Sequence, residues 1–430
     1  MNKQNKIRKS LIVSMWDGVF ASCMSGFAND YIAPYALALR ATSAQIGLLS
    51  AVSNFAASLG QLHSPVVTQH FKSRKKVFTL FVFLQACVGI PIILAPHLLT
   101  SKVVPFVIVC VALFLTFHAI ATPAWSSLMS EYIPYKKRGV YFGWRNKILN
   151  TLVVICSFLA GLILYWFRGN VLQGFFIIFT VACACRFVSW YFLTRMYEPP
   201  YRNPEGAHFS FVDFIRRMKD SNFGRFVLFV SCVNFCVNLA APFFSVFMLR
   251  DLNFSYLTFT ILVTAVTAAN IISIARWGRH ADAFGNLKVI KFTALLIATL
   301  PLWWLINQHP FYLFLVQILG GFAWSGFLLC SNNFVYDAVT PEKRTRCIAY
   351  FNTCAGLATC IGALCGGYLA TAMPTFLGYK LLSLFLFSSA LRFIVIFLFA
   401  GKIKEVRSAK HISRRELLYS MIGVRSAIEE

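Results

Sequence analysis

The chain has 430 residues, 58% of them hydrophobic and 13% charged, where a soluble domain carries about 25% charged residues. The formal net charge is +25, but the basic residues sit in short segments between apolar runs. That placement is the signature of membrane topology and argues against a nucleic-acid-binding face.

Twelve apolar runs are each long enough to cross about 30 Å of hydrocarbon as a helix. In chain order they lie near 10–38, 44–69, 76–97, 102–131, 140–166, 171–195, 224–249, 255–277, 287–307, 310–338, 346–373 and 379–401. A spanning segment must satisfy its own backbone, and these runs are too long for barrel strands. The expected fold class is therefore an all-α polytopic membrane protein. Residues Val19 to Cys23 faintly suggest a lipoprotein signal, but Asp17 interrupts the run and the apolar stretch continues past Cys23. Cleavage is not expected there. The thirteen cysteines fall mostly inside the runs and form no Cys-x-x-Cys pair. They read as small apolar helix residues, and no metal site or cofactor is expected.

With the N-terminus inside, the inner segments and adjoining helix ends hold 33 of the 40 Lys and Arg. The outer loops hold Arg40, Lys102, Arg168, Arg250 and Lys380. This asymmetry puts both termini in the cytoplasm of the plasma (bacterial inner) membrane. The longest connection holds "FSFVDFIRRMKDS", with Phe211, Phe214, Ile215 and Met218 at helical spacing and Arg216, Arg217 and Lys219 opposite. It predicts a short interfacial helix on the inner leaflet. The chain thus divides into a six-span bundle (1–196), a linker (197–223), a second six-span bundle (224–402) and a tail (403–430).

The halves repeat. At an offset of 206, Lys137 falls on Lys343, Arg138 on Arg344, Glu131 on Asp337, Gly161 on Gly367 and Arg186 on Arg392. Spans 1 and 7 match at 208, setting Ala33-Pro34 on Ala241-Pro242 and Asp30 on Asn238. Two six-span parallel repeats joined by a basic linker describe one arrangement of secondary transporters. Gly278-Arg-His-Ala-Asp282-Ala-Phe-Gly285 resembles the gating-loop motif of the major facilitator superfamily. "PYKKRG" and "PEKRTR" resemble that superfamily's 4–5 and 10–11 loops, and Gly362, Gly366 and Gly367 its small-residue helix contacts. One departure stands out. In the 2–3 loop, Pro65, Gln69 and Lys72 occupy positions where the motif carries glycine, aspartate and glycine.

The resemblance implies that spans 1, 4, 7 and 10 line a central cavity and that spans 3, 6, 9 and 12 lie outside it. Ionisable residues inside a membrane are functional candidates. Asp30 in span 1 and His118 at the middle of span 4 are candidate proton carriers, since imidazole titrates near pH 6.5. A structural hydrogen bond is the rival reading for Asp30, and a packing role for His118. Trp125, Asn234, Asn238, Trp324, Asn332 and Asn333 are candidate substrate contacts, amides and aromatics suiting a polar solute. Interhelical hydrogen bonding is the bland alternative. Glu131, Arg138, Asp282, Asp337 and Arg344 read as inner-gate ion pairs, with a static topological role nearly as plausible. Asp17, Arg186 and Arg392 read as structural intramembrane charges: Asp17 is the natural partner of Arg186, and backbone carbonyls are the fallback for Arg392. Arg145 and Lys147 are ionisable residues at the start of span 5 with no assigned role.

No enzyme or ATP-binding signature is present. The reading is a monomeric, proton-coupled secondary transporter of a small neutral or anionic molecule, embedded in the lipid bilayer. A transport-inactive receptor or assembly protein, a drug or metabolite efflux pump, and an integral-membrane enzyme remain as alternatives.

Overall fold

Every long apolar run is helical in the computed structural model. It describes residues 3–133, 138–200, 211–216, 218, 220–339 and 341–406, with the side chains of 3, 138–140, 212 and 341–346 left out. The first half is α1 (Lys3–Ala28), α2 (Ile32–Ala38), α3 (Ser43–Phe71), α4 (Arg74–Leu98), α5 (Val103–Tyr132), α6 (Arg138–Trp166) and α7 (Val171–Thr194). A short α8 (Phe211–Arg216) leads to α9 (Asn222–Val246), α10 (Tyr256–Phe284), α11 (Asn286–Ile306), α12 (Pro310–Ala338), α13 (Pro341–Ala372) and α14 (Lys380–Phe399). Among the described residues there is no β-strand. Eleven helices are apolar as well as long enough to cross a membrane. The twelfth, α3, has 29 residues but is diluted by Ser58, Gln61, His63 and Ser64. The protein is a multi-pass, all-α membrane protein.

Local sequence explains the breaks. The first span bends through a 3-10 turn at Asn29–Tyr31 between α1 and α2. Pro34 lies four residues after Asp30. It has no N–H to offer the Asp30 carbonyl, and its ring crowds that oxygen. The turn is then held by Tyr31, which is fully buried and hydrogen-bonds the Ser157 carbonyl (2.5 Å) and Thr260 Oγ1 (2.7 Å). Helix α3 opens on a capping box, in which Thr42 and Gln45 each satisfy the other's backbone N–H.

The chain divides into two compact units. One comprises 1–205, 242–261 and 363–371; the other comprises 206–241, 262–362 and 372–430. In the first unit, α1 packs on α6 and α7, α4 packs on α5 and α7, and α5 packs on α3. At the crossing of α3 and α13, a Cβ on Gly47 would stand 2.7 Å from the Gly367 Cα. In the second unit, a Cβ on Gly362 would stand 2.4 Å from the Phe235 carbonyl oxygen. Two of the glycines singled out in span 11 thus sit at close backbone approaches, the usual way membrane helices gain packing contact.

The six-residue α8 carries Phe211, Phe214 and Ile215 of the expected interfacial helix. Phe214 is only 4% exposed and packs on Tyr350 (ring centroids 5.5 Å) and Phe223 (5.9 Å), while Ile215 stays exposed. Arg217 and Lys219 lie outside the described residues.

The Gly362 contact is backbone against backbone, so no side chain can yield. Gly362→Leu is expected to cost about 1–3 kcal/mol in overpacking and to shift the melting transition and size-exclusion profile in detergent. Gly143→Ala, at a site with nothing within 4 Å, is the control expected to leave both unchanged.

Candidate functional site

A guanidinium deep in a membrane helix must find all its partners within the protein. Arg186, on α7, is 4% exposed. Its Nε and Nη2 both donate to Gln85 Oε1 on α4 (2.8 and 2.5 Å). Its Nη1 donates to Ser189 Oγ one turn further along α7 (3.2 Å). Ser189 in turn donates to Asp17 Oδ1 on α1 (2.7 Å). The expected partnership with Asp17 therefore exists through Ser189, while the direct partner is an amide. One buried chain of hydrogen bonds ties α1, α4 and α7 together.

Beside it, a cavity of about 310 Å³ opens within the first unit. Asp17, His118, Trp125, Arg145, Asn146 and Arg186 border it. His118 is exposed to this space and has Thr122 one turn away, with Thr122 Oγ1 3.5 Å from its Nε2. Arg145 reaches across from α6 to α1, where Nη2 donates to the Ser14 carbonyl (3.2 Å). Gly18 clears the path, since a Cβ there would stand 2.5 Å from that nitrogen. The guanidinium lies over the Trp125 ring at 4.8 Å, a cation–π contact. Two buried donors here, Arg145 Nε and Trp125 Nε1, have no hydrogen-bond partner.

Asp17 and Arg186, expected only to hold helices together, thus face the same space as His118 and Trp125. Asp30 does not border it. Its carboxylate accepts from Ser157 Oγ (3.4 Å) beside the Asn29–Tyr31 turn. The remaining substrate candidates lie on α9 and α12. Asn238 Nδ2 donates to the Asn234 carbonyl (2.9 Å) and to Thr359 Oγ1 (3.3 Å). Trp324 packs edge-on against Phe327 (5.9 Å). Asn332 is exposed and Asn333 half-buried. Arg392 donates to the carbonyl oxygens of Ile297 (2.8 Å) and Val237 (3.5 Å), the backbone solution expected for it.

At the end of the bundle that carries the basic loops, Glu131 pairs with Arg74 (2.6 Å). The side chains of Arg138 and Arg344 lie outside the described residues. Arg74 belongs to the basic remnant of the 2–3 loop, and a carboxylate absent from the sequence reading completes its site. Glu198 accepts from Ser73 Oγ (2.5 Å), Arg74 N (2.7 Å) and Lys75 N (3.2 Å). An anion on a helix N-terminus meets unpaired N–H groups and the positive end of the dipole. The second unit repeats this arrangement at α11. Glu405 accepts from Leu287 N and Asp337 from Asn286 Nδ2, both at 2.7 Å. Glu405 lies 207 residues after Glu198, so the repeat held a signal for this carboxylate pair. Asp282 is exposed near the end of α10.

Long apolar helices in a duplicated chain, with a polar cavity inside the first unit, define a polytopic transporter-type fold. A family model described as Major Facilitator Superfamily matches residues 16–248 and 226–427, and the chain belongs to that superfamily. Over 158 residues, 37% of this chain, it is 25% identical to Multidrug resistance protein 2 of Bacillus subtilis (strain 168); that stretch spans 38% of the relative. Among solved structures, a point mutant of the nucleoside transporter NupG aligns with a TM-score of 0.71 at 14% identity, covering 91% of this chain and 100% of that one. A bacterial homolog of the human lysosomal transporter Spinster gives 0.67 at 14% identity over 94% and 99%. The xylose transporter XylE from E. coli gives 0.65 at 12% identity over 95% and 100%.

Gln85 supplies both direct side-chain contacts to Arg186 from another helix. Hydrogen bonds to a charged group contribute about 1.5–3 kcal/mol each, so Gln85→Leu is expected to lower the melting temperature by several degrees in differential scanning fluorimetry. Gln85→Glu, which keeps an acceptor, is expected to retain a folded, monodisperse protein.

Proposed function

We propose that this protein is a secondary active transporter that carries a small organic anion across the membrane by alternating access, with its binding centre in the cavity of the first unit. The observation that carries this reading is Arg145. It is 7% exposed, borders the cavity, and keeps Nε without a partner beside the equally unpartnered Trp125 Nε1. Leaving buried donors unmade is costly, and an oxyanion drawn in between Arg145 and Trp125 would offer them acceptors, with charge-assisted bonds to the guanidinium. The cavity charge points the same way. Two guanidiniums face one carboxylate, and Asp17 already accepts from Ser189. A cationic solute would meet both arginines, which disfavours export of cationic drugs. Asn146 and Trp125 suit the uncharged remainder of a polar solute.

Protons drive the movement in this reading. His118 faces the cavity with the arginines, whereas the Asp30 carboxylate is held by Ser157 away from it. His118 is therefore the carrier favoured by geometry, and Asp30 the second.

Uptake of a labelled organic-anion panel into proteoliposomes tests the first claim. Arg145→Gln is expected to cut uptake about tenfold or more, the loss of at least one charge-assisted hydrogen bond. Unchanged uptake in that variant, or transport of cations alone, overturns it. Vesicles that move no solute support the receptor reading instead. The coupling claim predicts that an inward proton gradient accelerates wild-type uptake and does not accelerate His118→Gln. Acceleration that survives in both His118→Gln and Asp30→Asn removes both carriers.

A further inference from the structure

Arg186 borders two spaces. One is the polar cavity just described. The other is a smaller void of about 40 Å³. Its other walls are apolar and come from α1, α2, α4, α5 and α7, with Met24, Ile32, Ile92, Val111, Phe114 and Phe179 among them. Tyr35 borders it too, but its hydroxyl is already spent on the Ile92 carbonyl (2.8 Å). Cys183 likewise donates to the Ala86 carbonyl (3.4 Å). Arg186 is thus the one charged group on the lining of this void.

Away from Arg186 and Tyr35, the lining offers water no free polar partner, and an ordered water needs two or more. It is nonetheless roomier than a packing defect. It has more room than a single water needs, so it can take a short apolar group. An apolar group placed here gains both transfer out of water and contact with walls that otherwise face a gap.

We propose that the transported anion is amphipathic. Its charged head lies at Arg145 and Arg186 in the polar cavity, and a short apolar tail passes Arg186 into the void beyond. The substrate class is then a monocarboxylate, or a related monoanion, with a hydrocarbon portion of a few carbons. Compact polyanions and fully hydroxylated acids do not satisfy the apolar side. The proposal rests on the anion-transport reading and adds a second subsite to it. Asp17 sharpens the class further. A second negative charge on the substrate would meet the Asp17 carboxylate on the same cavity wall.

Isothermal titration of the purified full-length protein with straight-chain monocarboxylates from acetate to octanoate tests it. Affinity is expected to rise about fourfold per added methylene, equivalent to ~0.8 kcal/mol, over the first few. It then levels or falls once the void is filled. Primary alcohols of equal length, which lack the charged head, are expected not to compete. Val111→Phe, and independently Ile92→Phe, fill the void from two different helices. Either is expected to flatten the series so that hexanoate binds no better than acetate; two variants guard against one failing to fold. Affinity independent of chain length in the wild type, or an undiminished rise in the folded filled variants, overturns the second subsite and leaves the anion transporter standing. Binding of no anion at any length overturns both.

Discussion

The first unit is organised around one unavoidable cost, a guanidinium taken out of water in the middle of a membrane helix. Arg186 meets that cost with an amide and a hydroxyl, not with a directly touching carboxylate. Gln85 takes two of its N–H groups and Ser189 a third. The negative charge of Asp17 is placed one hydrogen bond further out. A directly sealed ion pair would be close to neutral and inert toward solutes. The relayed arrangement leaves the charges of Arg186 and Asp17 separated, and both remain on the cavity surface. The residue that ties three helices together therefore also sets the electrostatic character of the space between them.

The second repeat solves the same problem differently. Arg392, the equivalent of Arg186 at the 206 offset, donates to two backbone carbonyls. Ser388 and Ser389 beside it also donate to carbonyls, those of Cys236 and Ala298. No residue equivalent to Asp17 is available, because Arg225 occupies that position at the 208 offset. One ancestral position has become a cavity residue in one half and a backbone clamp in the other. Pseudo-symmetric chains separate structure from selectivity in this way: duplication keeps the helix arrangement while the partners diverge.

The helices, their order and the duplication were legible in the sequence because hydrophobic length and repeat offset are properties of the chain itself. The break in the first span was not anticipated, although Pro34 acts on the residue four before it. The site was only partly legible. His118 and Trp125 were found by chemistry and depth. Arg186 and Asp17 were found as a pair but assigned to scaffolding, because the span order alone says which helices border a cavity and not which way a side chain points. Arg145 was visible as a charge near a span end, a place where basic residues usually mark topology. Gln85 left almost no trace. A single amide in "LFVFLQACVG" reads as an interhelical hydrogen bond, and only its distance to Arg186 reveals what it satisfies. The helix-capping carboxylates Glu198 and Glu405 follow the last helix of each half, where short connecting stretches rarely attract scrutiny.

Those two carboxylates carry a consequence for how the chain is made. Each seats on the first turn of a helix that precedes it by more than a hundred residues, α4 for Glu198 and α11 for Glu405. Each also lies just beyond the sixth long helix of its half. During synthesis, the start of α4, capped only by Ser73 on Lys76 N, waits without this carboxylate on Arg74 N and Lys75 N while three further helices are inserted. It closes only when the chain has emerged past Glu198. Completion of each half is in this sense recorded by its last acidic residue, and the order of translation becomes the order in which the two repeats can lock.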